Sequence, residues 1–212
     1  MATIGLDMMY YSKIMEGSNG DETYSPPKKL AKAIKADLSV ELAEAILWAD
    51  DGAAEVVKAF KAGKLSIGVD DIGVTAAQDL TGAEVDENGV LVSTTEDSSD
   101  AVAVGFRAKK ANDKYRYFWM YKVKFGFPAT NLQTQGDSIS FQTPTLEGTV
   151  MRRNKLDGRG KHPWKTEVTE GDQGVSAEVI KDWFKEVYEP VYPQSPQSTE
   201  PESNPPDSGT DE

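Results

Sequence analysis

The chain contains one imidazole side chain, that of His162, in the segment Gly-Lys-His-Pro-Trp. A hydrolase of the Ser/His/Asp type would have to use His162 as its general base, and it would need a pocket around that residue. A thiol nucleophile is excluded because the sequence has no cysteine. A histidine that precedes proline on a basic loop is more typical of a solvated or packed loop residue. We therefore predict that the protein is not an enzyme.

Two pairs of adjacent carboxylates are the other candidates for chemistry. They are Asp50-Asp51 and Asp70-Asp71. Adjacent residues of a strand point to opposite faces, so neither pair forms an acid/base dyad or a metal-binding cup by itself. The sequence also lacks an EF-hand loop, a P-loop and a dinucleotide-binding fingerprint. We predict no catalytic residue, no metal site and no cofactor, and we assign both pairs to turns or to a surface rim.

Composition narrows the class of protein. The 212 residues are 38% hydrophobic, which is enough for one main domain with a real core. A net charge of −12 argues against a general nucleic-acid binder, because phosphate attraction requires a cationic surface. The first residues, MATIGLDMMYYSK, show no secretion signal, and no stretch approaches the roughly 18 apolar residues of a membrane span. These features predict a soluble protein made in the cytosol.

The pattern of residues 101–127 predicts a long β-hairpin, around which the rest of the chain is organised. From Tyr115 to Phe127 every odd position is apolar or aromatic, which is the period of two expected of a strand. Residues 112–114 have the composition of a hairpin turn. The even positions Phe118 and Met120 are apolar as well, so this strand must be covered on both faces. The cover is either a second internal layer or another copy of the chain, and the sequence leaves both open.

Residues 30–48 give conflicting signals. Their content of Ala, Leu, Glu and Lys favours a helix. Their apolar side chains, however, recur mainly at even positions from Leu30 to Trp48, and in a helix Val40 would face away from Leu38. We predict a strand here, with a helix as the alternative.

Alternation predicts further strands at residues 65–69 and 139–143, and a first strand in which one face carries Ile4, Leu6, Met8, Tyr10 and Ile14. Residues 17–21, 50–52 and 86–89 have turn composition. We predict that residues 55–62 pair with the strand that follows, across Gly63.

Two short helices are predicted. The first covers residues 75–81, and Gly82 is expected to end it in the left-handed conformation. The second begins after Ser176 as N-cap. Its apolar face consists of Val179, Ile180, Trp183, Phe184 and Val187.

A basic loop spans residues 152–165, and the composition changes again at residue 190. The loop carries Arg152, Arg153, Lys155, Arg159, Lys161 and Lys165. It is a solvated loop, a contact with the acidic surface of another copy, or a nucleic-acid contact, and the sequence leaves these three open. Residues 190–212 contain five acids, no Lys or Arg, and many Pro and Ser residues. We predict a folded domain in residues 1–189 and a disordered acidic tail in residues 190–212.

Seven segments in order along the chain carry a resemblance to a known family. They are KKLAKAI (28–34), ADLSVE (36–41), ADDGAAE (49–55), GVDDI (68–72), AVGFRAKK (103–110), KVKFG (122–126) and EGTVMRRN (147–154). Together they resemble the major tail proteins, or tail tube proteins, of long non-contractile-tailed bacteriophages. The similarity runs from about residue 2 to residue 190, and the acidic tail lies outside it.

The resemblance implies a mainly β fold, a tail-tube-type β-sandwich or partial barrel with a flanking α-helix and long hairpins. It also implies rings of six copies that stack into a virion tail tube, with an electronegative lumen through which genomic DNA passes without specific binding. Implied partners are other copies of the chain and the tape-measure, tail-tip and tail-terminator proteins, with no membrane anchor. The acidic charge and the long strands agree with such a role, since closing a ring removes unpaired strand edges.

The interface residues that we predict for rings and stacks follow from the loops and from the doubly apolar strand. They are Asp50, Asp51, Glu55, Phe118, Met120, Arg152, Arg153, Lys155, Arg159 and Lys161. We expect the tail to decorate the exterior, because it would block a lumen. The alternative function is a β-sandwich module on a virion surface that binds carbohydrate or protein through Trp119, Tyr121 and Trp164.

Overall fold

A computed structural model describes residues 2–17, 21–49, 52–130, 132–134 and 141–192. These residues form eleven strands and two short helices, α1 (Val74–Thr81) and α2 (Ala177–Asp182). The strands are β1 (Thr3–Glu16), β2 (Glu22–Tyr24), β3 (Lys28–Lys29), β4 (Ala33–Ala49), β5 (Gly52–Val69), β6 (Glu84–Val85), β7 (Leu91–Val92), β8 (Val102–Lys110), β9 (Tyr115–Phe125), β10 (Thr145–Met151) and β11 (Lys165–Thr169).

Nine of the strands form one antiparallel sheet that curls as a half-barrel. The strand order is β2-β1-β8-β9-β10-β5-β4, with β3 added to β1 and β11 added to β9. The strands β6 and β7 form a separate hairpin, as the turn at residues 86–89 predicted. The predicted fold class, a mainly β partial barrel with a flanking helix and long hairpins, is confirmed.

The strand β9 lies between two hydrophobic cores. The first core contains Met120 and Val123 and packs β9 against β1, β5, β8 and β10. The second contains Trp119. It is covered by α2 and by the residues that follow this helix, among them Trp183. Phe118 is half-buried against the first core. Both faces of β9 are therefore packed against other parts of the subunit, and Phe118 stays partly accessible.

The single alternating face predicted for residues 115–127 is wrong at the middle of β9. Val104 pairs with Met120 but Val102 pairs with Val123, so β9 carries an additional residue between these pairs. Before this bulge the other edge of β9 pairs with β11, and after it with β10. A bulge reverses which side each later residue faces. Trp119 and Val123, both odd, consequently lie in different cores.

The strand β1 has a similar irregularity at Met8. Asp7 pairs with Arg107 but Tyr10 pairs with Gly105, and Met8 has a φ of 52°. Past this point the fully buried side chains are Met9 and Tyr11, not Met8 and Tyr10. The predicted strand is confirmed, but its predicted apolar residues do not form one continuous face, and Ile4 among them is 65% exposed.

Residues 30–48, whose composition favoured a helix and whose apolar pattern favoured a strand, lie mostly in the strand β4. The strand prediction is therefore confirmed, and the helix alternative is wrong. The strand β4 pairs with β5 from Ala33 opposite Val69 to Ala49 opposite Gly52. The prediction that residues 55–62 pair across Gly63 is wrong, because they belong to the same continuous strand as Gly63. The turn predicted at residues 50–52 falls at the tip of this hairpin, where residues 50 and 51 lie outside the described residues.

The helix predictions hold and one strand prediction does not. Helix α1 ends at Gly82, which has a φ of 78°, and the Ser176 side chain accepts hydrogen bonds from the first turn of α2. Helix α2 is shorter than its apolar pattern predicted, since residues 183–185 form turns. Residues 141–144 are not a strand, and residue 139 lies outside the described part of the chain. Most of the predicted turn at 17–21 lies outside it as well.

The Gly105 position illustrates how tightly β8 and β9 pack. A Cβ atom at residue 105 would lie 2.8 Å from three ring atoms of Trp119. Trp119 cannot retreat easily, because it is fully buried and its indole N–H donates to the carbonyl of Trp183 at 2.9 Å. We expect Gly105→Ala to lower the free energy of unfolding by about 1–3 kcal/mol. Urea unfolding followed by tryptophan fluorescence measures it, with Gly126→Ala as the control, because a Cβ atom there would lie 4.0 Å from its nearest neighbour.

Candidate functional site

The outer half of the β4–β5 hairpin projects beyond the sheet. We call residues 41–49 and 52–62 the arm. Residues 63–68 of β5 pair with β10 on one side and with β4 on the other. Within the arm, the only partner of β5 among the described residues is β4. About ten residues per strand at roughly 3.3 Å each make the arm about 30 Å long.

Both faces of the arm expose large apolar side chains. Directly paired residues share a face, and one face carries Leu42, Ile46 and Val56 while the other carries Leu47 and Val57. Each of these side chains is at least 42% exposed, and Trp48 near the tip is 67% exposed. The polar groups are cross-strand ion pairs such as Lys58–Glu44 at 3.4 Å.

The base of the arm is fixed by an aromatic contact. A bulge separates the pairs Glu41–Ala62 and Leu42–Phe60, and the Phe60 ring stacks on Trp164 with centroids 4.6 Å apart. Trp164 directly precedes β11 and is half-buried. The arm is therefore held where it leaves the sheet, and its direction is set by the body of the subunit.

An isolated two-stranded hairpin is at best marginally stable in water. Clustered apolar side chains on both of its faces mark a surface that another protein covers. No part of the described subunit covers these residues, as their exposure shows. The arm is thus suited to intermolecular packing through its apolar residues, with the Lys58–Glu44 ion pair between Leu42 and Ile46 on one face.

Three of the predicted interface residues belong to this hairpin. Asp50 and Asp51 lie outside the described residues, between the ends of β4 and β5. Glu55 is exposed on the arm, opposite Leu47. The apolar arm residues were not predicted to lie at the surface. The signal that could have shown it is length, since strands of 17 and 18 residues lie on either side of residues 50–51 and exceed what a small sheet covers.

The even-numbered pair of β9 is less accessible than an interface would need. Met120 is fully buried, and Phe118 is half-buried with its ring 5.1 Å from that of Phe106. Both nevertheless line an apolar groove of about 470 Å³ between β1 and β4. Their role at an interface stays a prediction.

The basic loop has two kinds of cation. Arg153 is fully buried, with its guanidinium 2.8 Å from the Glu189 carboxylate and 4.5 Å from the centre of the Tyr121 ring. Lys155 binds the same carboxylate at 3.1 Å. These two cations hold the C-terminal segment to the loop, so the structure corrects the expectation that Arg153 lies at the surface.

Of the remaining cations of the loop, Arg152, Arg159 and Lys161 are exposed, whereas Lys165 is half-buried and binds Glu167 at 2.8 Å. Arg159 binds Asp157 at 3.2 Å, while Arg152 and Lys161 have no ion pair within the described ranges. The backbone amides of Lys161 and Arg159 both donate to Asp157 at 2.9 Å. The hydrogen bond from the Lys161 amide is the main reason why the pKa of Asp157 falls to about 2. Asp157 thus stays ionised and fixes the loop, which presents Arg152 and Lys161 to other molecules.

A buried carboxylate joins the loop to the sheet. Glu22 is fully buried, forms an ion pair with Lys122, and accepts hydrogen bonds from the backbone amides of Asn154 at 2.6 Å and Lys155 at 3.2 Å. Burial by itself would raise the pKa of Glu22, but these hydrogen bonds outweigh burial and the net effect lowers the pKa. Nothing in the sequence pattern identified this residue, because its partners are more than 90 positions away.

The residues first considered for chemistry do not assemble a catalytic group in the described structure. His162 is exposed, and its Nδ1 lies 3.1 Å from the carbonyl oxygen of Arg153. Asp70 and Asp71 lie in the turn after β5, where Asp70 accepts from the backbone amide of Lys32 at 2.9 Å. The described residues contain no group of three or more His, Asp or Glu side chains placed to hold a metal ion.

Two of the three aromatic residues proposed for a binding groove are inside the protein. Trp119 and Tyr121 are fully buried, and only Trp164 reaches a surface cavity. Within the described ranges, neither helix has the length and apolar content needed to cross a membrane.

Comparisons with known proteins give distant similarity only. No protein-family model matches the chain, and no curated protein matches it. Ten chains of solved structures match. One belongs to a cryo-EM structure of the anti-feeding prophage (AFP) baseplate, determined with sixfold symmetrisation. It is 8% identical, the match covers 79% of this chain and 97% of that chain, and the TM-score is 0.36.

Proposed function

We propose that this protein is a structural virion protein that assembles into stacked rings of six and forms the tail tube of a long-tailed bacteriophage. The observation that carries the proposal is the arm, which is apolar on both faces and has no cover in the subunit. Seven segments of the chain resemble major tail proteins in the same order along the sequence, and this resemblance is our reason for proposing a tail tube as the kind of assembly. The role is mechanical and electrostatic, and no step of it requires catalysis.

The proposed assembly uses three features of the subunit. The free edge of β4 and the open side of the half-barrel offer backbone groups for pairing with neighbouring copies in a ring. The arm reaches about 30 Å from the body, so it packs into an adjacent copy in the same ring or the next one. The net charge of −12 makes the protein a poor DNA ligand, which suits a conduit for DNA ejection.

Electron microscopy of the purified chain tests the proposal, combined with light-scattering mass on the same sample. We expect rings or hollow tubes. A monomer of 23.1 kDa that persists at high concentration, and also after addition of a purified tail-tip complex, would contradict the proposal. In that case a virion-surface binding module would be the better interpretation.

Contacts between rings are expected to use the exposed cations of the basic loop. Reversing Arg152 and Lys161 to glutamate should shorten or abolish tubes, because these cations have no ion pair within the described subunit and are free to meet an acidic surface. Arg153 is unsuitable for this test, since its reversal would place two carboxylates together in a buried site.

Tube length measured by electron microscopy at low and moderate salt checks this expectation. The matched control is the double variant Lys29→Glu/Lys181→Glu, which reverses two exposed cations outside the loop that likewise have no ion pair among the described residues. Tubes of unchanged length and salt stability in the double variant of the loop would show that the loop does not join rings.

A further inference from the structure

We propose that the cavity beside the basic loop binds the acidic, proline-rich segment 193–212 of the same chain. The cavity has a volume of about 540 Å³ and lies between the loop, β11 and the C-terminal segment. It is the surface toward which the described chain leads, because Pro190, Val191 and Tyr192 form part of its wall. The inference does not rest on the proposed ring assembly, but both use Lys161, so the segment must release Lys161 wherever that cation meets another copy.

The cavity wall combines cations with aromatic and apolar side chains. Arg159, Lys161 and Lys165 line it on the polar side, together with Asp157 and Glu167, which pair with Arg159 and Lys165 and leave Lys161 as the cation without an ion partner in the described residues. Its apolar side is formed by Pro163, Trp164, Val168, Val175, Val179 and Trp183. Aromatic-lined grooves with a charged rim are the usual sites for extended proline-containing peptides that carry the opposite charge.

Lys161 is the cation best placed to receive a ligand carboxylate. Its side chain is exposed and has no ion pair within the described ranges, whereas Lys165 binds Glu167 at 2.8 Å and Arg159 binds Asp157. The loop that carries Lys161 is held in place by the hydrogen bonds of its backbone to Asp157. The site is therefore built before any ligand arrives.

The segment 193–212 matches the cavity in charge and in residue type. It contains five acids, Glu200, Glu202, Asp207, Asp211 and Glu212, and no Lys or Arg. Pro193 and Pro196 are spaced as in a polyproline II ligand, and Glu200-Pro201-Glu202 follows them. The prolines suit the aromatic wall, and the carboxylates suit Lys161 and Arg159.

The covalent link between segment 193–212 and the folded part of the chain makes this contact favourable. Tyr192 is fixed at the rim of the cavity, with the Arg159 guanidinium 4.1 Å from the centre of its ring. The eight residues from Tyr192 to Glu200 span at most about 28 Å, which is enough to lead back across a cavity of this size. A tethered ligand has an effective concentration in the millimolar range, so weak contacts suffice. In an assembly, the bound segment would cover cations that could otherwise meet another copy.

Carbodiimide crosslinking of the full chain tests the proposal. The reagent joins a carboxylate to a lysine amine as an amide, with loss of water, wherever the two are in contact. Equal amounts of ¹⁴N-labelled and ¹⁵N-labelled protein are mixed before the reaction, so that mass spectrometry of the digest separates links within one chain from links between chains. We expect links from segment 193–212 to Lys161 within one chain, at least fivefold more abundant than links to the control Lys32, whose side chain is 84% exposed.

Two further measurements separate binding from mere proximity. Raising NaCl to 0.5 M should reduce the Lys161 links at least threefold, because screening weakens ion pairs and leaves the tether unchanged. The variant Arg159→Gln should reduce them at least threefold as well, since it removes a cation of the site and leaves the reactive amine in place. Links that are insensitive to both changes, links between chains only, or no enrichment over Lys32 would each overturn the proposal.

Discussion

Replacing Ile46 and Val57 with aspartate is expected to leave the protein monomeric at concentrations at which the unsubstituted chain forms rings or tubes. The two positions lie on opposite faces of the arm and are 42% and 55% exposed. Fully burying one such apolar side chain is worth roughly 1.5–3 kcal/mol, and an aspartate in its place would carry an unpaired charge into the contact. Since the contact repeats in every subunit, the loss accumulates along an assembly.

Light scattering should then give a mass close to 23.1 kDa for the double variant. The matched controls are Val90→Asp and Val74→Asp, which place the same charge at positions 55% and 48% exposed outside both the arm and the basic loop. The midpoint of urea unfolding should stay within the error of the unsubstituted chain, because the arm is exposed on both faces. Tubes of normal length in the double variant would show that the arm is not an assembly element, and the proposed function would lose its main support.

Glu22→Gln is expected to cost the most stability of any single polar substitution in the described structure. Removing the charge leaves Lys122, whose side chain is only 17% exposed, without its ion partner. Breaking a buried pair from one side typically costs about 3–5 kcal/mol. Urea unfolding at concentrations where the chain is monomeric measures it. The surface pair Lys64–Glu147, at 3.0 Å and about 60% exposed on both sides, serves as the control, and Glu147→Gln should cost less than about 1 kcal/mol.

The pH dependence gives an independent check of the Glu22 environment. The pKa of Glu22 is lowered in the folded state, so its contribution to stability is complete above the ordinary glutamate pKa and is lost as the pH falls through the lowered value. The difference in unfolding free energy between the unsubstituted chain and Glu22→Gln should therefore shrink at acidic pH. The double variant Glu22→Gln/Lys122→Met should recover part of the loss at neutral pH. A constant difference from pH 7 to pH 3 would show that Glu22 is not held as an anion.

Local patterns in the sequence were sufficient to identify most of the elements. Alternation identified β1, β4, β8, β9 and the end of β5, and capping residues identified both helices. The strand in residues 33–49 was predicted against its helix-forming composition, because the period of the apolar side chains outweighed their propensity. These signals depend on near neighbours along the chain, so one sequence contains them. The net negative charge and the absence of cysteine also follow from the sequence alone.

The tertiary structure decided which sides of those elements face inward and which charges are free. Bulges at Met8 and after Met120 reverse the buried face partway along β1 and β9, and each depends on how a partner strand pairs. Arg153 is an interior cation because Glu189 approaches it from 36 positions away, whereas Lys161 in the same loop stays exposed. Long-range pairing of this kind has no local signature. For the same reason, the sequence predicted a strand at residues 55–62, and only the end of β10 pairing at Gly63 shows that this strand leaves the sheet as an exposed arm.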